Sequence, residues 1–196
     1  MKETLKDAID TLIDRVFGIP VAETRILSVD LTLTDERRPD FLLQVDSVHD
    51  PTYATRVPFV VHIELQTKND STMHHRMLRY YSIIAGQYGL PVYQYVVYLG
   101  NSKCTMKDRI VDQGLDFSYR IINMSTIDAG TFLDSDKPEE IVLSVLCAPQ
   151  NGDSRLTIRT MLNNIKQRAE SELAFSKYCR QLGVLVQLRD TSDILK

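Results

Sequence analysis

The spacing of apolar residues changes along the chain from a helical to a strand-like period, which predicts a mixed α/β fold. Residues 3–17 carry apolar side chains at helical spacing, so we expect an amphipathic helix that ends near Gly18 and Pro20. Residues 40–48 and 58–67 are rich in apolar and β-branched side chains, which predicts two strands. Turn-forming residues separate these strands, so an antiparallel hairpin is the simplest connection.

The middle of the chain predicts a helix between two parallel strands. Residues 72–88 have one apolar stripe at helical spacing, and residues 92–99 form a β-branched and aromatic run. Because a helix separates them, we expect strands 58–67 and 92–99 to pair in parallel. Residues 25–33 predict a strand or an extended approach to one, and residues 117–124 predict a further strand. The predicted core is therefore α/β with a mixed sheet.

From about residue 136 the pattern is typical of helices. A break at 149–153 is followed by one or two amphipathic helices over 154–188. We therefore predict a core over residues 1–130 and a helical extension over 131–196, packed on the core or used in oligomerisation. A homodimer formed through this extension is an alternative that the sequence leaves open.

Composition limits the class of protein. The chain has 196 residues and is 43% hydrophobic, enough for one domain with a helical appendage. Its three cysteines are scattered and lack the spacing of a zinc site or a disulfide framework. The N-terminus lacks the apolar stretch of a secretion signal, and no apolar run approaches the ~20 residues of a membrane span. These features predict a cytoplasmic protein with no membrane partner.

Charge is distributed unevenly. The net charge is −3, but residues 61–110 carry six basic and three acidic side chains, giving +3, and include three of the four histidines. A polyanion such as nucleic acid would bind favourably to such a segment. Chance is the alternative explanation of so small an excess.

Two acidic residues lie among apolar residues in the predicted hairpin. Side chains alternate between the faces of a strand, so Glu64 and Gln66 share one face while Ile63 and Leu65 point into the core. Asp40 lies where the other strand begins. The hairpin therefore brings together two carboxylates and an amide.

This arrangement suggests a site for a divalent cation. Buried carboxylates without partners are energetically costly, and a cation between Asp40 and Glu64 would offset that cost. Oxygen ligands of this kind suit Mg²⁺, which can activate water for phosphodiester hydrolysis. The alternative is that each acid pairs with a nearby base, Arg37, Arg38 or Arg76.

Four short motifs occur in a characteristic order. They are Arg-Pro-Asp-Phe-Leu-Leu at 38–43, Val-His-Ile-Glu-Leu-Gln at 61–66, Arg-Met-Leu-Arg-Tyr at 76–80 and Leu-Pro-Val at 90–92. Together they resemble the PD-(D/E)XK nuclease superfamily, and within it the recombination-promoting nuclease family of transposase-like proteins, called Rpn. The resemblance covers roughly residues 1–130.

The resemblance implies roles for individual residues. Asp40 matches the aspartate of the PD motif and Glu64 the acid of the (D/E)XK motif, so both would bind the metal, with the backbone carbonyl of Leu65 as third ligand. Gln66 stands where the superfamily has lysine, although Glu-x-Gln is usual in this branch. An amide can orient the attacking water but supplies no charge. Arg76 is the candidate for gripping the scissile phosphate or orienting Glu64. The alternative is that Arg76 forms a surface ion pair with Asp70 or Glu64.

Other residues near these motifs have several interpretations. Lys68 would lie on the face of Glu64 if the strand continued that far. The superfamily often draws a further acid from its first helix, and Asp7, Asp10 and Asp14 are all available. Histidine at position 62 shares the face of Glu64, so it either contacts the site or is a hydrogen-bonded core residue.

The resemblance implies a restriction-endonuclease-like α/β fold, with a mixed central sheet flanked by helices and a C-terminal helical extension. It also implies a magnesium-dependent or manganese-dependent endonuclease that hydrolyses DNA phosphodiester bonds, linked to recombination or mobile elements. The alternative is a catalytically weak or inactive nuclease-fold module that binds DNA or a protein partner. The substitution of glutamine for lysine at position 66 is the feature that favours this alternative.

Overall fold

A computed structural model describes residues 5–6, 8–28, 38–50, 57–100 and 102–188. The chain divides into two compact units. The sheet unit comprises Val16–Tyr98 and Lys103–Ile122, and the helical unit comprises Met1–Arg15, Leu99–Ser102 and Asn123–Lys196. The predicted division into 1–130 and 131–196 stays a prediction.

In the described residues, seven strands form two sheets. They are β1 (Val21–Ile26), β2 (Phe41–Val48), β3 (Phe59–Gln66), β4 (Val92–Tyr98), β5 (Arg109–Asp112), β6 (Leu115–Ser118) and β7 (Arg120–Asn123). The main sheet has the order β1-β2-β3-β4-β7, and β5 and β6 form a separate antiparallel ribbon. The helices are α1 (Ile9–Thr11), α2 (Met73–Tyr88), α3 (Gly130–Leu133), α4 (Pro138–Ile141), α5 (Ser154–Arg168) and α6 (Glu172–Leu188).

The predicted hairpin and crossover are both confirmed. Strands β2 and β3 are antiparallel, with Phe41 opposite Ile63. Strands β3 and β4 are parallel, and α2 connects them along the chain. The mixed α/β class is therefore confirmed.

Two strand predictions needed correction, and one strand was not predicted. Strand β1 begins at Val21 and ends at Ile26, so the prediction of a strand over 25–33 was wrong at its start, and residues 29–33 lie outside the described part. The predicted strand over 117–124 is two strands, because the chain leaves the extended ladder at Tyr119. Strand β5 was not predicted, since it has only four residues, of which two are charged and three are exposed.

Helix α2 packs on the sheet through the apolar stripe seen in the sequence. Its Tyr80 and Ile84 join Leu42 and Val60 in one buried cluster, and Met73 and Met77 join a second cluster with Val96 and Phe117. The helix ends where Gly89 adopts φ 63°, a left-handed conformation that glycine reaches without strain. This packing places the first turns of α2 beside the strands that carry the predicted acids.

The helical unit differs from its prediction at its start. Helix α1 continues into a π-helix over Leu12–Val16, so the regular helix predicted over 3–17 is only partly present in the described residues. The predicted break is confirmed by a 3₁₀ turn over Gln150–Gly152, after which α5 and α6 follow. Within the described residues, no helix has the length and apolarity needed to cross a membrane.

Glu140 is a buried carboxylate held by several donors in the helical unit. It accepts hydrogen bonds from Thr11 Oγ1 at 2.5 Å and Ser135 Oγ at 2.6 Å, and Lys137 Nζ lies 3.3 Å away. Burial raises the pKa of Glu140, but the bonds from Ser135, Thr11 and Lys137 outweigh it and hold the pKa below the ordinary value. The ionised form therefore stabilises the fold above the ordinary glutamate pKa, and this stabilisation is lost as the pH falls through the lowered value.

We expect Glu140→Gln to lower the free energy of unfolding at neutral pH by about 1–3 kcal/mol, since an amide oxygen accepts these bonds more weakly than a carboxylate. The difference from wild type should shrink as the pH falls from the ordinary glutamate pKa through the lowered pKa of Glu140, because the folded wild-type carboxylate becomes protonated over that range. Urea unfolding of both proteins at several pH values measures this. An equal difference at every pH would contradict the prediction.

Candidate functional site

Asp40 and Glu64 meet at the open end of the β2–β3 hairpin. The register that places Phe41 opposite Ile63 brings the next two positions, 40 and 64, together. The backbone N–H of Asp40 donates to Glu64 Oε1 at 3.1 Å, and the backbone N–H of Leu65 donates to Asp40 Oδ2 at 2.8 Å. These reciprocal bonds hold both carboxylates at one end of the sheet.

The side chain of Glu64 is buried, with 6% of its surface exposed. Besides the Asp40 N–H, its Oε1 contacts His62 Nε2 at 3.2 Å, and a terminal nitrogen of Arg76 lies 3.8 Å from Oε2. Donors of this kind offset the cost of removing a carboxylate from water, so the protein itself stabilises Glu64 in this buried position.

His62 belongs to a buried hydrogen-bond chain. Gln94 Nε2 donates to the carbonyl oxygen of Met77 at 3.0 Å and lies 2.9 Å from His62 Nδ1. Because the carbonyl can only accept, the amide nitrogen must face both groups, and His62 Nδ1 must accept. His62 is then neutral, with its proton on Nε2, and donates to Glu64.

The two interpretations of His62 are therefore both correct. It is fully buried, and its ring packs edge-on against Tyr80 at a centroid distance of 4.9 Å. It also contacts the candidate site directly. Gln94 was missed, although the sequence held a signal: it is a lone amide within the apolar run of β4, and the parallel register places it opposite His62.

Arg76 lies between two acids. Besides the contact with Glu64, its NH1 nitrogen is 3.4 Å from Asp70 Oδ2, and its NH2 nitrogen is 2.7 Å from Met73 Sδ. The alternative that Arg76 forms an ion pair with Asp70 or Glu64 is confirmed, with both acids as partners. About a quarter of the side chain stays exposed, so a role in gripping phosphate stays a prediction.

Gln66 is the last residue of β3 and is half-buried. The strand ends there, so the condition under which Lys68 would share the face of Glu64 is not met. Lys68 is exposed in the bend that follows. Asp10 and Asp14 belong to the helical unit and Asp7 lies outside the described residues, so no first-helix acid is assigned.

The donor set fits a hard divalent cation. Asp40, Glu64 and Asp70 each carry one negative charge and Arg76 one positive charge, which gives a formal sum of −2. Two carboxylates and a backbone carbonyl are ligands that Mg²⁺ uses together with water. In the part of the chain described here, no cluster of three His, Cys, Asp or Glu side chains is close enough to hold a metal, so such a site would need the Leu65 carbonyl or water.

A cavity of about 500 Å³ lies on the other face of the sheet. Its walls include Phe17 and Tyr95, whose rings stack at 3.9 Å, and Tyr93, which is 37% exposed. Tyr93 pairs with Val61 and therefore points away from the face of Glu64. Gln94 contributes to the wall of the cavity, but Asp40, Glu64 and Arg76 do not.

No protein-family model, curated protein or solved structure matches the chain. Any function assigned to the protein therefore depends on the geometry of the site and on the motifs of the sequence.

Proposed function

We propose that the protein is a metal-dependent endonuclease that hydrolyses DNA phosphodiester bonds. The observation that carries the proposal is a pair of hydrogen bonds at the end of the hairpin, where the PD-(D/E)XK resemblance expects its two acids. The Asp40 N–H donates to Glu64, and the Leu65 N–H donates to the Asp40 carboxylate. The restriction-endonuclease-like form of the α/β fold is part of the same proposal, and the mixed sheet with a β3–α2–β4 crossover supports it.

Asp40, Glu64 and the carbonyl of Leu65 would hold a magnesium or manganese ion. Such an ion, when bound, makes a water molecule nucleophilic near neutral pH and offsets the charge on the phosphate. Hydrogen bonds within the protein orient these side chains. His62 and the Asp40 N–H orient Glu64, and the Leu65 N–H orients Asp40.

Elsewhere in the superfamily a lysine both orients the attacking water and supplies positive charge. We assign the first role to Gln66 and the second to Arg76. The amide of Gln66 can orient the attacking water but adds no charge. Arg76 supplies the positive charge, and its guanidinium can exchange its loose contact with Glu64 for a phosphate oxygen. Asp70 keeps the guanidinium at the site during this exchange.

A second function has its own supporting observation. The Glu64 carboxylate already has three protein partners, His62, Asp40 N–H and Arg76, which is the arrangement of a structural acid. The chain would then be a nuclease-fold module that binds DNA or a protein without turnover. Its binding would be insensitive to chelators.

Plasmid cleavage tests the two functions against each other. Wild type and Glu64→Ala are incubated with supercoiled plasmid in Mg²⁺ or Mn²⁺, with and without a chelator. Nicking or linearisation by wild type alone, abolished by the chelator, supports the nuclease. Calorimetry with Mn²⁺ gives an independent result: binding heat that Glu64→Ala removes supports a metal site at these residues, whereas its absence favours the module.

We expect Gln66→Leu to lower kcat of cleavage about a hundredfold, because positioned polar groups of this kind contribute at least that factor. The heat of Mn²⁺ binding should not change, since the Gln66 side chain is not a proposed ligand. Single-turnover cleavage at saturating DNA measures the rate. Gln87→Leu, at an exposed glutamine of α2, is the control, and equal rates for both variants would contradict the role of Gln66.

A further inference from the structure

The segment 103–108, between β4 and β5, has neither helix nor strand structure but is held firmly by side chains. Asn69, three residues beyond the end of β3, donates from Nδ2 to the carbonyl of Lys103 at 2.9 Å. Its Oδ1 accepts from the backbone N–H of Thr105 at 2.7 Å. One side chain thus binds the segment with both of its polar atoms, as a neighbouring strand would.

Tyr119 holds the other end of the segment. Its hydroxyl donates to the carbonyl of Lys107, and its backbone N–H donates to the carbonyl of Asp108 at 3.0 Å. The tyrosine is itself buried, with 6% of its surface exposed. The backbone of 103–108 is therefore fixed at both ends, so its side chains leave the backbone at defined positions.

The segment borders the candidate site. Asn69 is adjacent to Asp70, which is paired with Arg76, and Arg76 contacts Glu64. Burial, the neighbouring His75 and the charge of Lys107 lower the pKa of His74, in the first turn of α2. Met106, next to Lys107 in the segment, packs against the buried cluster that contains Met73 and Met77 of α2, so the segment lies beside the first turns of α2.

The side chains presented at this edge are mainly cationic. Lys103 and Lys107 are exposed on the segment, and Lys68 is exposed next to Asn69. Asp108 is the one acid among residues 103–108. A polyanion that approaches the carboxylates of Asp40 and Glu64 is repelled by them, so cations beside the site are needed to hold it there.

We propose that Asn69 positions segment 103–108 so that Lys103 and Lys107, together with Lys68, bind the phosphate backbone of duplex DNA beside the site. The inference rests on the proposed function and names its substrate contacts. Lysine ammonium groups act as point charges and do not distinguish one base from another. These contacts therefore determine the position and affinity of the protein on DNA, and no residue is assigned to base specificity.

The test is the salt dependence of DNA binding by the full-length wild-type chain in a chelator, which prevents cleavage. Anisotropy of a labelled duplex gives Kd at salt concentrations from about 50 to 200 mM, and each phosphate contact contributes a slope of about −0.9 in log K against log salt. The combined Lys68→Ala, Lys103→Ala and Lys107→Ala variant should reduce the slope by about 2.7. Lys166→Ala, an exposed lysine on α5, should not change it.

Asn69→Ala tests positioning, because it keeps all three lysines. Freeing the segment should reduce the slope by about 1 or more, whereas a loss of stability alone leaves the slope unchanged. Thermal unfolding of each variant checks that the fold is intact. An unchanged slope for Asn69→Ala would overturn its positioning role.

The results separate this inference from the proposed function. A reduced slope without plasmid cleavage by wild type supports the DNA contacts and rejects the nuclease. Cleavage by wild type with an unchanged slope in the triple variant rejects the lysine contacts and keeps the nuclease. Failure of wild type to bind the duplex at the lowest salt overturns the inference.

Discussion

Replacing Glu64 with glutamine should lower the rate of DNA cleavage about a thousandfold, since a bound metal contributes several kcal/mol to the transition state and 1.36 kcal/mol is a factor of ten. The amide keeps the size of the side chain and can still accept from the Asp40 N–H. It loses the charge that would bind the ion. Initial rates of plasmid nicking in Mg²⁺ measure the effect, and far-ultraviolet circular dichroism should be unchanged.

Asp40→Asn should have a similar effect, because its carboxylate would be the second charged ligand. Asp46→Asn is the matched control: this acid lies on the same strand, β2, and its Oδ1 accepts from Gln44 Nε2 at 2.5 Å, away from the Glu64 contacts. Its cleavage rate should stay within about threefold of wild type, because a substitution outside the site usually changes free energies only slightly. If Glu64→Gln and Asp40→Asn both cleave like wild type, the proposed site is wrong.

Replacing His62 with leucine should destabilise the protein and weaken metal binding together. The change leaves one Gln94 N–H without a buried partner, at about 1–3 kcal/mol, and removes one of the two donors to Glu64 Oε1, so that the Asp40 N–H alone remains on that oxygen. It also removes the ring contact with Tyr80, about 0.5–1.5 kcal/mol more. Loss of a group that orients a metal ligand lowers affinity about 10–100-fold. Urea unfolding and Mn²⁺ calorimetry measure the two effects.

Gln94→Leu separates orientation from simple loss of packing. It leaves the contact between His62 and Glu64 in place but removes the donor that fixes the proton of His62 on Nε2. We expect Mn²⁺ affinity to fall about tenfold. The long-range ¹H–¹⁵N NMR spectrum of His62 should change from that of the Nε2-protonated tautomer to that of a mixture of the two tautomers. An unchanged tautomer with unchanged affinity would show that His62 alone orients the acid.

The sequence was most informative where a regular pattern coincided with simple topology. The apolar spacing of residues 72–88 predicted α2 correctly, because Met73, Met77 and Ile84 of its stripe are buried against the sheet. The stripe was wrong at Tyr81, which is 40% exposed, whereas its neighbour Tyr80 is buried. The pairing of positions 40 and 64 followed from the hairpin, since antiparallel strands bring the start of one beside the end of the other. The sequence was least informative at short exposed strands such as β5, where burial imposes no pattern.

The sequence by itself determined the mixed α/β class, the hairpin, the crossover and the meeting of Asp40 with Glu64, because each depends on the period of apolar residues and on chain direction. Only the tertiary structure showed that Gln94 reaches His62, that Asn69 holds segment 103–108, and that Arg76 is shared between two acids. Gln94 and Asn69 make these contacts over 32 to 36 positions of chain. Hydrogen bonds of that kind depend on side-chain geometry after packing, and they leave no periodic signal in the sequence.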